Sequence, residues 1–560
     1  MKLKRFAIWR YRQESQKRSS QSVGLAWKHG VGVKPRFSMS ALCSSRRKPA
    51  FRCRTEGETG RFTLTAVAWQ NGKSRSGLAK VANGTLVDER PASLAGARTA
   101  AGVIESLLLV ALILGLAWAP AWLGSNRPIA WGVNGILFPG LVIAYELSRV
   151  VLGRPHAVAA RYLLVPIGLF IGVVAWILLQ ISPGMPPSLV HPIWPLAAQA
   201  LGAPVPGTIS VDPGASAIGL LRLITDASVF WLALQLCRSA SRAHLLLYAI
   251  MTIIAVYAAL GLYLAVFEAS KIPYLDGSAP GLVRSTFINR NSLAAYAGIG
   301  VIIALTLWLR ALRAGAVPAV GLDLRRSGRF LPPMAQLHWV EIGAGLLALS
   351  ALMASGSRGG VIATATAIAC ILVLSFPRSG RSIVERISVL LLPLLALGGA
   401  VALLGDTVFG RIAASGLTDT KRAAVNDIMV RSLQDAPFSG FGYGTFTDIF
   451  PVYRDQSIST TGVWDKAHNT YLEVLQGLGL VFGTMMITLV AWLVGVCAVG
   501  VFRRRRHRAP LICAAGAGVL LGVHALVDFS LQIQAISLTF MALLGAGVSQ
   551  WASSNANLSD

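Results

Sequence analysis

Several arginines and histidines in this chain stand where an apolar sequence has no structural need of them. Arg284, Arg290 and Asn291 lie within Arg284-Ser-Thr-Phe-Ile-Asn-Arg-Asn291, between two apolar runs. Arg358 sits in Ser355-Gly-Ser-Arg358-Gly-Gly360, little more than a tight turn, and Arg127 in Gly124-Ser-Asn-Arg127-Pro128. A bidentate guanidinium matches phosphate oxygens, and a glycine-rich turn lets backbone amides approach the same anion. The same arginines could instead anchor the chain to lipid headgroups. His468, in Ala467-His-Asn-Thr-Tyr-Leu-Glu473, begins another apolar run. Helical spacing puts it on one face with Tyr471, as a general base, an orienter of an acceptor hydroxyl, or a structural helix-start residue. Helical spacing likewise pairs His524 with Asp528, either at a substrate or simply to tie down a helix end. Arg222 and Asp226 repeat that spacing inside an apolar run, as a structural ion pair facing the bundle.

The elements that must position these residues are membrane helices. Hydrophobic residues make up 54% of the 560, charged residues 13%, and mean hydropathy is +0.60, whereas a soluble domain carries about 25% charged residues. Continuous apolar runs of about 20 residues argue for helices over a barrel. Spans are expected at 103–122, 129–148, 162–182, 217–237, 244–267, 291–309, 338–355, 360–376, 387–405, 470–501, 510–527 and 535–551. Alternate connections are basic: Arg149, Arg154 and Arg161; Arg238 and Arg242; Arg310, Arg313, Arg325, Arg326 and Arg329; Arg378, Arg381 and Arg386; Arg503 to Arg506 and Arg508. The positive-inside rule makes these cytoplasmic, with both termini, and gathers the candidate residues on the outer face. The fold class is all-α polytopic, about twelve helices in residues 100–551, with outer segments 183–216 and 406–467. The latter is expected to form a small cap with short helices. Residues 552–560 form a cytoplasmic tail.

The net charge of +27 suggests nucleic acid, but its distribution argues for membrane lipids. Before Thr99 lie 21 Lys and Arg against 5 acids, in a Ser- and Gly-rich stretch without a signal-peptide pattern. Residues 1–99 are expected to be a disordered cytoplasmic tail against anionic lipid, although Met39 offers an alternative start. The six cysteines give no disulfide framework. The seven aspartates of 406–467 form no Asp-x-Asp pair, and there is no P-loop or dinucleotide fingerprint, so neither a metal nor a cofactor is expected.

The chain resembles the bacterial O-antigen ligase and polymerase superfamily over about residues 100–550. The matches, in order, are Phe287-x-Asn-Arg-Asn291 after Arg284; Ser357-Arg-Gly359; and Pro437-x-x-Gly-x-Gly-x-Gly-x-Phe446. They continue with His468-Asn-x-Tyr-Leu472, followed by Gly477-x-Gly479, and His524-x-x-x-Asp-Phe529. Each motif is short; their order and shared sidedness carry the likeness. The resemblance implies a bundle like that of C-type membrane glycosyltransferases. Such an enzyme takes glycan from an undecaprenyl-diphosphate carrier at the outer face of the bacterial inner membrane. The acceptor is lipid A–core in ligases and growing glycan in polymerases, exopolysaccharide polymerases included. It implies Arg284 and Arg358 on the diphosphate, His468 beside the acceptor, and metal independence; Arg127, Arg290, Asn291, Tyr471, His524 and Asp528 are expected as further substrate contacts. The competing expectation is a transporter or flippase for lipid-linked glycan or a small solute, which would place charges near the bilayer midplane. A non-catalytic assembly scaffold would explain the helices but not the arginines and His468.

Overall fold

The computed structural model divides into two compact units, residues 1–100 with Asp560, and 101–559. It describes strands between residues 51 and 86, and residues 92–267, 282–313, 339–375, 420–458, 463–504 and 506–555.

The first unit contains an antiparallel sheet ordered β1-β2-β3-β4: Phe51–Thr55, Phe62–Gln70, Lys73–Ala82 and Thr85–Leu86. Phe62 pairs with Val81 and Gln70 with Lys73. These strands lie within residues 1–99, the segment expected to be a disordered tail. The signal was present in the alternation Phe62-Thr-Leu-Thr-Ala-Val-Ala-Trp69 and in Asn71-Gly72 and Asn83-Gly84, dipeptides that favour tight hairpins. Basic composition masked it.

The membrane part is helical throughout its described residues. Its helices are α1 (Ala92–Trp118), α2 (Pro128–Val151), α3 (Leu164–Ile181), the short α4 (Ile193–Leu201), α5 (Pro213–Leu236) and α6 (Ala240–Val266). Next come α7 (Arg290–Arg313), α8 (Trp339–Ala354), α9 (Arg358–Ser375), α10 (Thr420–Asp435), α11 (Phe446–Tyr453), α12 (Thr470–Arg503), α13 (Ala509–His524) and α14 (Gln534–Asn555). Among the described residues, nine helices are long and apolar enough to cross a membrane, and α8 and α13 are shorter apolar helices. The chain is therefore a multi-pass membrane protein. Every expected span falls on a helix except 387–405, which lies outside the described residues.

Local chemistry sets the helix starts. Pro128 and Pro213 occupy first turns, where a missing N–H costs nothing. Asp212 and Asn469 cap α5 and α12 by accepting from Ala215 N at 2.9 Å and Leu472 N at 3.2 Å. Among the described residues, connections lie at two ends of the bundle. At one end Glu105 pairs with Arg149 and Arg242, and Arg508 donates to the Leu374 carbonyl. The candidate site residues lie at the other. Helices α7 and α14 are central, with 89% of each span buried in protein.

The long α12 is broken at Gly479 (φ 76°, ψ 169°). There the segment 437–444 inserts against it: Phe441 N donates to Gln476 O, Gly442 N to Gly477 O, and Leu480 N to Pro437 O at 2.7 Å. Gln180 of α3 closes this seam, donating to Ser439 O and Gly477 O, both at 2.8 Å. A Cβ at Gly479 would lie 2.1 Å from Phe438 O, and one at Gly442 (φ 107°) 2.2 Å from Ser210 Oγ. Both positions therefore require glycine. Helices α10 and α11 lie where short helices were expected, and share an apolar cluster that includes Val425, Met429, Phe446 and Phe450.

Candidate active site

A cavity of about 380 Å³ opens between three segments at the site end of the bundle. Loop 282–289 with the first turn of α7 contributes Arg284, Phe287, Asn289, Arg290 and Ser292. The entry to α12 gives Asp465 and His468, and the α13–α14 connection gives Phe529 and Ile533. Leu123 and Asn126 complete the wall from the α1–α2 turn.

The backbone around this cavity is strained. Non-glycine residues with left-handed φ among those described are Leu123, Ser125, Ser285, His468 and His507, and all but His507 line the cavity or adjoin a residue that does. Such conformations cost about 1–3 kcal/mol each and persist where surrounding structure imposes them. Ser125 Oγ donates to Ala119 O at 2.6 Å, Trp131 Nε1 to Ser125 O at 2.8 Å, and Ser285 Oγ to Tyr257 O at 2.8 Å.

His468 (φ 56°) precedes the Asn469 cap and so lies outside the helix. The expected shared face with Tyr471 is thereby corrected. Tyr471 instead donates its hydroxyl to Gly522 O at 2.9 Å and does not line the cavity. The His468 ring meets Phe529 edge to face at 4.9 Å and Trp464 at 5.8 Å. Its Nδ1 lies 3.8 Å from Asp528 Oδ2, an ion-pair separation longer than a hydrogen bond.

Asp528 is the hub behind the wall, with 0% of its surface exposed. Asn291 Nδ2 donates to its Oδ2 at 2.6 Å, Phe529 N donates to its Oδ1 at 2.8 Å, and Arg422 of α10 lies 3.7 Å from Oδ2. Burial pushes the Asp528 carboxyl up, but His468, His524 and Arg422 outweigh it and hold the group below the usual carboxylate range. It is therefore an anion at neutral pH. The expected His524–Asp528 pairing on one helix face is also corrected: α13 ends at His524, whose Nδ1 pairs with Ser530 Oγ at 3.0 Å. His524 is 1% exposed and supports the connection from behind.

Arg284 and Arg290 line the cavity, and Arg284 Nη1 donates to Ile288 O at 3.2 Å. Arg358 does not line it. It opens α9 at a turn packed behind the wall, where a Cβ at Gly359 would meet His524 at 3.5 Å. Arg127 is exposed and donates to the neighbouring Asn126 carbonyl at 3.1 Å; Asn126, not Arg127, reaches the cavity. The expected Arg222–Asp226 pair divides. Arg222 stacks over Trp131 at 4.7 Å and donates to Gln532 O, bracing both lining turns from below, while Asp226 accepts from Ser537 at 2.8 Å.

Sequence reasoning missed Asn126, Asn289, Ser292, Asp465 and Phe529 as wall residues, and Arg422 beside Asp528. Most lie within three residues of a chosen candidate, so proximity to the motifs was the available signal. Arg422 had none, because its partner is about a hundred residues away.

Residues 343–488 match a family described as O-antigen ligase. That stretch runs from α8 into α12, taking in Arg358, His468 and the glycine seam. Comparison with curated proteins gave no match. Residues 343–488 of this multi-pass membrane protein therefore form a domain similar to the O-antigen ligase family.

Proposed function

We propose that this protein is a glycosyltransferase that moves glycan from undecaprenyl diphosphate to lipid A–core or to a growing carrier-linked glycan. The reaction takes place at the periplasmic face of the bacterial inner membrane, with both termini cytoplasmic. The observation that carries this reading is one cavity holding two arginines on one wall and a carboxylate-backed histidine on another. Phosphate chemistry and proton transfer thus face a common space.

In this reading the acceptor hydroxyl attacks the anomeric carbon, forming the new C–O bond as the bond to the diphosphate oxygen breaks, with inversion. His468, its Nδ1 turned toward Asp528, takes the hydroxyl proton at Nε2. Arg284 and Arg290 stabilise the charge developing on the diphosphate, the role a metal fills in other phosphate-releasing enzymes. Phe529 offers an apolar face to the sugar. The strained wall supports this assignment, because such conformations gather where geometry must be fixed in advance. A transporter reading would draw on Arg222 and Asp226, whose side chains are instead engaged by Gln532 and Ser537.

The test is reconstitution of the full chain in lipid with an undecaprenyl-diphosphate glycan, a chelator present, with and without lipid A–core. Release of carrier diphosphate with transfer to lipid A–core identifies a ligase, and chain growth on the carrier a polymerase. Either activity should be lost in Arg284→Ala. Absence of both products from folded protein with a matched glycan would overturn the proposal.

A further inference from the structure

The first turn of α7 faces the cavity and carries an unexplained hydroxyl. Ser292 lines the wall, is 1% exposed, and its Oγ has no hydrogen-bond partner among the described residues. A buried hydroxyl left without a partner costs about 1–3 kcal/mol. Of the orphaned hydroxyls of Ser292, Thr306 and Ser549, only that of Ser292 lines the cavity. Ser228 and Thr364 avoid the cost by donating to the carbonyl four residues back, Ile224 and Gly360. Ser292 lies too near the start of α7 for this, and the Ile288 carbonyl receives Arg284 Nη1 instead. The surroundings select an anion for the vacant bond. Arg284 and Arg290 share the wall, and the amino-terminal end of a 24-residue helix adds its positive dipole.

We propose that Ser292 is a direct phosphate ligand, its Oγ–H donating to a non-bridging oxygen of the carrier's diphosphate beside Arg284 and Arg290. This rests on the glycosyltransferase reading for the identity of the ligand. It adds to that reading a neutral donor at the helix start, which fixes where the diphosphate sits between the two arginines. Because the hydroxyl serves only the ligand, removing it should relieve the empty protein while weakening the complex.

Ser292→Ala and Ser292→Thr are compared with wild type in phosphatidylcholine nanodiscs. Binding of glycan-free undecaprenyl diphosphate is titrated directly, with phosphatidylglycerol as a separate arm, and the melting temperature is read on the empty protein. Ser292→Ala should weaken carrier binding about tenfold, as expected for a hydrogen bond to a charged group, with an unchanged or higher melting temperature. Ser292→Thr, which keeps a hydroxyl, should bind within about twofold of wild type. Where transfer is measured, donor KM should rise with kcat and acceptor KM unchanged, the signature of uniform binding. Unchanged carrier affinity in Ser292→Ala, no carrier binding by wild type, or a lowered melting temperature without a binding loss would each overturn the inference. Equal binding of phosphatidylglycerol would also overturn it, by making the site one for lipid headgroups. Carrier binding is measured without turnover, so a failed transfer assay would count against the enzyme reading and leave the Ser292 result to stand on its own.

Discussion

Two segments meet α12 near its start, and they differ in kind. The glycine seam, 437–444 against 476–480, is held by a run of backbone hydrogen bonds and by Gln180, and contributes no residue to the cavity wall. The entry segment Asp465–His468 is held by side chains instead: Ala467 N donates to Glu473 Oε2 at 3.0 Å, and the left-handed His468 meets an aromatic edge and a 3.8 Å ion pair. Both carry motifs of similar prominence in the sequence. The seam spends its glycines on closeness, so that a helix can break and resume around an inserted strand-like segment. The entry segment spends its strain on presenting one imidazole. Prominent residues therefore mark two different arrangements, one that holds α12 in place and one that, on the proposed function, places an imidazole at its mouth.

The sharpest way to break this comparison is at the histidine. His468→Ala should lower transfer about 10³-fold, the range for losing a general base, while its melting temperature stays near wild type, since alanine keeps the same left-handed backbone and loses only edge contacts. A large loss of folded protein would place His468 with the seam instead. Gly479→Ala is the counterpart. With a Cβ placed 2.1 Å from Phe438 O, it should cost about 3 kcal/mol or more of stability and lower the yield of folded protein. Thermal unfolding checks this, and whatever folds should retain the wild-type donor KM.

Asp528→Asn probes the group between the two. It should lower transfer about 10²-fold by removing the anion that orients His468. Because the folded carboxyl is held below its ordinary range, its stabilising contribution is complete above the unfolded pKa, about 3.9. That contribution is lost as pH falls through the depressed folded value. The melting-temperature gap between wild type and Asp528→Asn should therefore stay constant from pH 7 to about 5 and shrink only in stronger acid. Arg127→Ala, exposed and off the wall, should change transfer by less than about twofold, near the small effect of exposed charges generally. A large loss there would extend the site beyond the cavity described.

The legible part of the fold was the part governed by bulk water and lipid. Apolar run length placed the helices, and arginine placement separated the connections into two ends, as Arg149 and Arg242 meeting at Glu105 illustrates. The strands before α1 have a sequence signal too, in alternation and Asn-Gly pairs, beneath a basic composition of the kind tails carry. For the site, Arg284, Arg290 and His468 were chosen and do meet. His468 with Tyr471, and His524 with Asp528, were chosen by helical spacing that fails at helix ends. One residue outside the helix turns its side chain to a new direction, and α12 begins two residues after His468 while α13 stops at His524.

By itself the sequence determined that the chain must cross a membrane repeatedly and that its unusual cations collect at one end, because solvation of each segment depends on local composition. It also held the residue types for phosphate binding and proton transfer. Only the tertiary structure decided which of them share a cavity. Asp528 became the hub because α7, α10 and the α12 entry converge on it from 60 to about 240 residues away. Ser292 became conspicuous because its hydroxyl is left without a partner beside the cavity, while Arg284 donates to the Ile288 carbonyl one turn back. Such pairings depend on packing between distant elements, and no spacing along the chain encodes them.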